Sequence, residues 1–278
     1  MAGPDGAALL AARYGVPPDA SVEAVPPCLA ALLDRRVTRR YRAEPVTEPL
    51  LDLLLAAAQS APTKSDLQQY SVVVLRDPAK IKRIADWIGT MDWIASAPVF
   101  LVWCGDMRRG QRLCEMHGME HANNNLDTFL NTAVDCSLAM GAFIAAADAA
   151  GLGTCPISYV RNHIEKLTPM LGLPRGVYPV AGLCVGWPEF RRPVSMRLPA
   201  PVVVHRERYD ESGLREAVAA YDSRRRALAP LAAASLKNNE VYGPKEGVGW
   251  SENCARQLSV PERFGFAAYL RTRGFDLA

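Results

Sequence analysis

The chain has 278 residues, of which 49% are hydrophobic and 22% are charged. That composition is typical of a globular protein with enough apolar material for a sizeable core. Its 32 basic and 29 acidic residues leave a formal net charge of +3, which is too small to indicate a nucleic acid or an anionic membrane surface as a partner. Any anion that the chain binds should therefore be recognised locally.

The seven cysteines are an odd number without a C-x-x-C pair, a pattern typical of reduced thiols in a cytosolic protein. The N-terminus lacks a basic segment followed by a long apolar one, so no signal peptide is predicted. Residues 126–150 are the most apolar segment, but three aspartates and an asparagine interrupt it. This segment predicts a buried core helix, since it is too polar to span a membrane.

Residues 1–27 contain five prolines and predict an irregular N-terminal lead-in. The patterns that follow predict a helix at 28–34, a helix from Thr47 to about Ala61, a strand at 70–76, a helix after Asp77, a strand at 98–104, a long helix at about 125–150, a helix capped by Asn162 and Glu165, a strand at 177–185, an extended arm at 187–201, a helix at 212–228, a loose stretch at 235–256 and a helix at about 261–273. Helices and strands alternate without a regular β-α-β repeat, which favours an α+β fold with one sheet packed by helices.

Five arginines lie within residues 35–42. If the preceding helix continues through them, Arg35 and Arg39 share one face and Arg36 and Arg40 another. Like charges at that spacing repel by roughly 0.2–0.5 kcal/mol per pair, so a bound anion would stabilise the cluster, and guanidinium groups suit phosphate. The same residues are also typical of a solvated basic helix end. Both interpretations stay open at this point.

Other motifs suggest further functions. Residues 151–156 begin with G-x-G, but they lack a third glycine and follow a helix, where a dinucleotide loop must follow a strand. Residues His117, Glu120 and His121 have the H-x-x-E-H spacing of inverted zinc proteases, although Gly118 weakens the helix that such a site needs. A zinc-dependent hydrolase is therefore one alternative. A weaker alternative is a nucleic-acid-binding protein that uses residues 35–42 and 224–226.

Four segments in consistent order resemble the FMN-dependent nitroreductase superfamily, and most closely its branch of NADPH-linked oxygen-insensitive nitroreductases and flavin reductases. The segments are residues 35–41, similar to the signature R-R-S-[IV]-R-x-F; residues 61–68, similar to A-x-S-x-S-x-x-Q; residues 151–159; and the arm with Gly186-Trp187-Pro188 and Arg197-Leu198-Pro199. The resemblance runs from about Leu33 to Ala200, with a weaker echo near the C-terminus.

The resemblance implies an FMN site in which the first segment holds the phosphate and ribityl chain. The implied cofactor-binding residues are Arg35, Arg36, Val37, Thr38, Arg39, Thr63, Ser65, Met91, Asp92, Trp93, Pro156, Ile157, Ser158, Tyr159, Ser195 and Arg197, while Arg263 would assist the pyridine nucleotide. Val37 replaces a family serine, so that position can offer only a main-chain contact. Ser158 and Tyr159 stand where close relatives often have glycines.

The resemblance also implies a nitroreductase-like α+β fold, with a central, mainly antiparallel sheet in an interlocked homodimer that binds FMN at its interface. The expected organisation is a lead-in at 1–27, an FMN-binding core at 28–205 and a helical extension of the same domain at 206–278. The implied activity is ping-pong hydride transfer from NADPH or NADH to nitroaromatics, quinones or free flavins, with no catalytic side chain because the flavin carries the chemistry. A cytoplasmic location without membrane or nucleic-acid partners is expected.

Overall fold

The computed structural model describes residues 5–18 and 25–278. The chain divides into two compact units. The first, which we call the helical unit, contains the described residues up to Asp34 together with Pro193–Glu262. The second, the sheet unit, contains Arg35–Arg192 and Arg263–Ala278. The domain boundaries at residues 28 and 206 that the sequence suggested stay a prediction.

The described residues form twelve α-helices and four strands. The α-helices are α1 (Gly6–Tyr14), α2 (Pro27–Leu33), α3 (Glu48–Gln59), α4 (Pro78–Ile88), α5 (Arg108–Met116), α6 (Leu126–Ala149), α7 (Ile164–Met170), α8 (Ala200–Val203), α9 (Leu214–Leu228), α10 (Asn239–Tyr242), α11 (Trp250–Leu258) and α12 (Phe266–Thr272). The strands are β1 (Tyr70–Leu75), β2 (Val99–Asp106), β3 (Gly153–Ile157) and β4 (Val177–Gly186).

The four strands form one antiparallel sheet in the order β1-β2-β4-β3, so β1 and β3 lie at its opposite edges. Every residue of β2 is buried, because successive side chains enter two different clusters. Phe100 and Val102 pack in a cluster with α4, while Leu101 and Trp103 pack in a cluster with α3 and α6. A central antiparallel sheet packed by helices confirms the predicted α+β architecture.

Two segments of the helical unit differ from the sequence prediction. Within the stretch 1–27, predicted as an irregular lead-in, Gly6–Tyr14 form α1, which begins where Asp5 accepts a hydrogen bond from Ala7 N and ends at Gly15 in the left-handed conformation. Residues 1–4 and 19–24 of that stretch lie outside the described residues. The stretch 235–256, predicted as loose, contains α10 and most of α11. The first turn of α11 is held by Asp222, a residue distant in sequence, which accepts a hydrogen bond from Ser251 N.

The predicted capping of α7 is also wrong. That helix begins at Ile164 with no side-chain capping bond. The side chain of Asn162 instead accepts a hydrogen bond from Arg263 Nε at 2.6 Å. Asn162 therefore bonds to a residue about a hundred positions further along the chain instead of capping α7.

Helix α6 is buried on one side only, whereas the sequence predicted a buried core helix. Its buried positions follow the helical period and include Thr132, Asp135 and Phe143. On another side, four large apolar residues recur every four positions and are 43–54% exposed; they are Leu126, Leu130, Val134 and Leu138. We call these four residues the α6 stripe. By length and composition alone α6 could cross a membrane, a test that core helices of soluble proteins also pass.

Candidate functional site

The arginine-rich residues 35–42 do not continue helix α2, which ends at Leu33. Instead, residues 37–38 pair with the outer edge of β3, and residues 40–42 pair with residues 187–189. Val37 forms a parallel bridge with Thr154, and Thr38 N donates a hydrogen bond to Thr154 O at 3.0 Å. The interpretation as a helix end is therefore wrong. Because side chains alternate along such a segment, Arg35 and Arg39 still fall on the same side.

The segment approaches β3 closely at Gly153. A Cβ atom added to this glycine would lie 2.1 Å from Thr38 Oγ1, too close for any side chain. Thr38 is itself buried, and its carbonyl oxygen accepts a hydrogen bond from Tyr41 Oη at 2.8 Å. The small residue at the start of β3 therefore fixes the position of the arginines that follow Thr38.

We expect Gly153→Ala to lower the free energy of unfolding by about 1–3 kcal/mol, the usual cost of overpacking. Thermal unfolding measures this loss. Gly110→Ala is the matched control, because Gly110 lies within α5 and an added Cβ would make only ordinary contact with His121, at 3.5 Å. That change should stabilise the helix by about 0.5–1 kcal/mol. Equal melting temperatures for the two variants would contradict the close approach.

The Arg39 guanidinium lies over an indole ring. Its Cζ atom is 5.9 Å from the Trp93 ring centroid. Burial raises the pKa of Cys155, while the charges of Arg39 and Arg35 act in the opposite direction. Within residues 5–18 and 25–278, Arg39 forms no ion pair with a carboxylate. The site therefore presents a cation whose charge is not neutralised by the chain around it.

Several other expected residues pack on one apolar cluster. Val37, Met91, Trp93 and Tyr159 are partly buried against the cluster that contains Cys155 and the buried isoleucines of α4. Most of β3 is buried, but Pro156 is exposed, and so is Ser158 at the start of the following 3₁₀ turn. We call this region the arginine edge; it comprises residues 35–39, 91–93 and 153–159. The structure thus brings together most of the predicted cofactor-binding residues.

Thr63 and Ser65 lie elsewhere. They belong to residues 63–69, the Thr63 loop, which leads into β1 at the opposite edge of the sheet from β3. With two strands between them, the edge strands are separated by roughly 14 Å. The loop is held by Asp135 of α6, which accepts hydrogen bonds from Lys64 N and Gln69 N at 2.9 and 3.0 Å. Within one chain, the Thr63 loop is not part of the arginine edge.

Comparison with known proteins identifies the family. The model of the nitroreductase family matches residues 32–187, and that of the nitroreductase family C-terminal domain matches residues 195–278. This chain belongs to the nitroreductase family. The family and its fold confirm the resemblance that the sequence motifs suggested.

Individual relatives support the assignment of the chain to this family. It is 36% identical over 230 residues to an FMN reductase [NAD(P)H] of Bacillus subtilis, covering 82% of this chain and 89% of the relative. It is 34% identical over 183 residues to an oxygen-insensitive NADPH nitroreductase of Salmonella typhimurium, covering 66% and 75%. The solved structure of the hypothetical oxidoreductase YcnD from Bacillus subtilis has a TM-score of 0.83 at 33% identity, covering 91% of this chain and 99% of that one.

In the helical unit of this nitroreductase, Ser195 and Arg197 occupy a firmly held turn. Arg197 N donates to Arg13 O at 2.8 Å, and Arg13 Nη1 donates to Ser195 O at 2.9 Å. Tyr221 Oη donates to Met196 O between them. Among the described residues, no carboxylate pairs with the exposed Arg197 side chain. The turn therefore presents an arginine from a rigid main chain.

Arg263 adopts a positive φ of 55° and donates its Nε–H to Asn162. This hydrogen bond fixes part of its guanidinium group within the sheet unit. The role with pyridine nucleotide that the resemblance implies for Arg263 stays a prediction.

The zinc motif lacks the geometry that its chemistry needs. Helix α5 ends at Met116, and His117 is the residue that caps it, so His117 and His121 do not share a helical face. In the part of the chain that the structure describes, no group of three or more His, Cys, Asp or Glu residues could hold a metal ion. The zinc hydrolase alternative for this nitroreductase is therefore unsupported. The nucleic-acid-binding alternative relied in part on residues 224–226. One of these residues, Arg225, donates its Nη1–H to Tyr221 Oη within α9.

Proposed function

We propose that the chain binds FMN and uses NADPH or NADH to reduce free flavins, nitroaromatics or quinones. The observation that supports this function is the arginine edge in a nitroreductase fold. Arg39 presents a guanidinium without a carboxylate partner, beside half-buried Arg35 and Arg36. Guanidinium groups stay charged at all accessible pH values and match phosphate in two-point hydrogen bonds. This donor set fits the phosphate of FMN.

The roles of the individual residues follow from their chemistry. Arg35 and Arg39, which share one side of the segment, would bind the phosphate, with the main chain of Val37 and Thr38 beside it. The part that Arg36 would play in phosphate binding rests on the family resemblance. Met91, Trp93 and Tyr159 would exclude water from one side of the ring system, and the hydroxyl of Ser158 would donate a hydrogen bond. The bound FMN supplies reversible two-electron chemistry. Ser195 and Arg197, as further phosphate ligands, and Arg263, at the pyridine nucleotide, rest on the family resemblance.

The separation of the Thr63 loop from the arginine edge supports a homodimer in which each FMN site uses both chains. The loop is attached to α6 through Asp135, and α6 also carries the exposed α6 stripe. A stripe of four large apolar residues is best covered by a copy of itself in a two-fold symmetric contact. The Thr63 loop of one chain would then complete the arginine edge of the other.

This assignment of the α6 stripe also bears on location. The stripe would lie against a second subunit, so its apolar character does not require a lipid partner. Buried polar groups such as Thr132 and Asp135 on the same helix suit a protein core. We therefore place the enzyme in the cytoplasm, without a membrane or nucleic-acid partner.

Absorption spectroscopy of the purified protein tests the proposed function. We expect a yellow protein whose flavin absorption is bleached by NADPH without oxygen and restored by a quinone or a nitroaromatic compound. The same titration with NADH measures the preference between the two donors. A colourless protein that cannot be reconstituted with FMN would contradict the proposal.

A further inference from the structure

We propose that Asp135 is a positioning residue that holds the Thr63 loop in the conformation needed for FMN binding. This inference rests on the proposed function. Asp135 lies in the middle of α6 and is fully buried. In the sequence it looked only like an interruption of an apolar helix.

The two carboxylate oxygens of Asp135 accept hydrogen bonds from the two ends of the Thr63 loop. Oδ1 accepts from Lys64 N at 2.9 Å and Oδ2 accepts from Gln69 N at 3.0 Å. Hydrogen bonds to a charged acceptor are stronger than neutral ones, and more so in a buried site. An asparagine at this position could accept only one of these bonds, because its amide nitrogen would face a second donor.

The loop between these two anchors has a backbone that its residues do not favour. Ser65, Asp66 and Gln68 all have positive φ angles, of 51°, 58° and 51°. Non-glycine residues adopt this region rarely and at a cost, and they remain there only when the surroundings enforce it. Arg109 supplies the other restraint, since its side chain donates hydrogen bonds to Gln68 O and Tyr70 O. Asp135 restrains the loop from α6, and Arg109 restrains it from α5.

The position of Asp135 therefore matters for function as well as for stability. The hydroxyl groups of Thr63 and Ser65 can meet a ligand reproducibly only while the loop keeps this conformation. Because Asp135 belongs to the helix that carries the α6 stripe, it also ties the loop to the proposed subunit contact. A shift of the loop by about 1 Å is enough to impair a binding site.

The test compares Asp135→Asn with Asp222→Asn. Asp222 is a matched control, because it is also a buried carboxylate that accepts a backbone hydrogen bond, from Ser251 N at 3.0 Å, but it lies in the helical unit. Both variants should lose some thermal stability. Only Asp135→Asn should make the flavin-free protein more sensitive to trypsin after Lys64, by about tenfold or more, because the loop opens locally. The cleavage site is identified by mass spectrometry.

The FMN dissociation constant, measured by quenching of flavin fluorescence, provides the functional result. We expect it to rise about tenfold or more in Asp135→Asn and to stay unchanged in Asp222→Asn. Lys64→Pro covers the case in which Asp135→Asn fails to fold. Proline lacks the N–H from which Asp135 accepts a hydrogen bond, but it fits the start of the 3₁₀ turn at Lys64. This variant should therefore fold, and it should also bind FMN more weakly.

Three results would overturn the inference: unchanged cleavage after Lys64, unchanged FMN affinity in a folded Asp135→Asn or Lys64→Pro variant, or an equal loss of affinity in Asp222→Asn. Failure of the wild-type protein to bind FMN would instead contradict the proposed function. The trypsin result would still report separately whether Asp135 holds the loop.

Discussion

Replacing Arg35 and Arg39 together with alanine should abolish retention of FMN through gel filtration. Each hydrogen bond from an arginine to a charged group is worth about 1.5–3 kcal/mol, so losing both should raise the FMN dissociation constant by roughly 10² to 10⁴. Riboflavin lacks the phosphate, and its weaker binding should change little in the same variant. The ratio of the two dissociation constants therefore reports the phosphate contact itself.

Arg40→Ala is the matched control for this experiment. Arg40 lies in the same segment and is exposed, but it follows Arg39 by one residue and so falls on the other side of the chain. We expect its loss to leave FMN affinity within about twofold. Full FMN retention by the double variant, or an equal loss of FMN and riboflavin binding, would contradict the phosphate assignment. Arg197→Ala, measured the same way, tests the ligand that rests on the resemblance alone.

The sequence found the arginines but misjudged their backbone, for a physical reason. Helix α2 is short and apolar, and nothing in residues 34–42 marks its end as strongly as a glycine would. What keeps the segment extended is β3, about 115 residues later, through the Val37–Thr154 bridge. Strand β3 itself is short and contains Gly153 and Pro156, two residues that weaken a strand pattern. The pairing of such segments depends on tertiary contacts, which cannot be predicted from the local periodicity of the sequence.

The elements with strong local signals were predictable. Asp77 caps α4, Pro78 opens it and Gly89 ends it in the left-handed conformation, and the β-branched runs became β1, β2 and β4. The role of Asp135 was not predictable, because a single aspartate in an apolar helix has no local signature for a partner some 70 residues earlier. The separation of the Thr63 loop from the arginine edge likewise required the strand order. Sequence motifs therefore proposed the residues of the site, and the sheet topology showed that the Thr63 loop and the arginine edge lie at opposite edges of the sheet within one chain.

If the proposed homodimer forms through the α6 stripe, charge placed on this stripe should give monomers that bind FMN poorly. In Leu130→Glu with Val134→Glu, a symmetric contact would bury carboxylates of both subunits near one another, and buried unpaired charges cost several kcal/mol each. Light scattering should report the mass of one chain instead of two. The FMN dissociation constant should rise by at least about tenfold, because the Thr63 loop would no longer reach the other subunit's arginine edge. Met116→Glu, at a methionine that is 75% exposed on α5, should leave both measurements unchanged.

Mixed dimers distinguish a shared site from a site that merely depends on folding. One subunit carries Arg39→Ala and its partner carries Asp135→Asn. If each FMN site combines the arginine edge of one chain with the Thr63 loop of the other, one site receives both defects and the other receives neither. The mixed dimer should then bind one FMN per dimer with wild-type affinity. If each site lies within a single chain, both sites are defective and no wild-type site remains, so the number of tight FMN sites in the purified mixed dimer decides between the two arrangements.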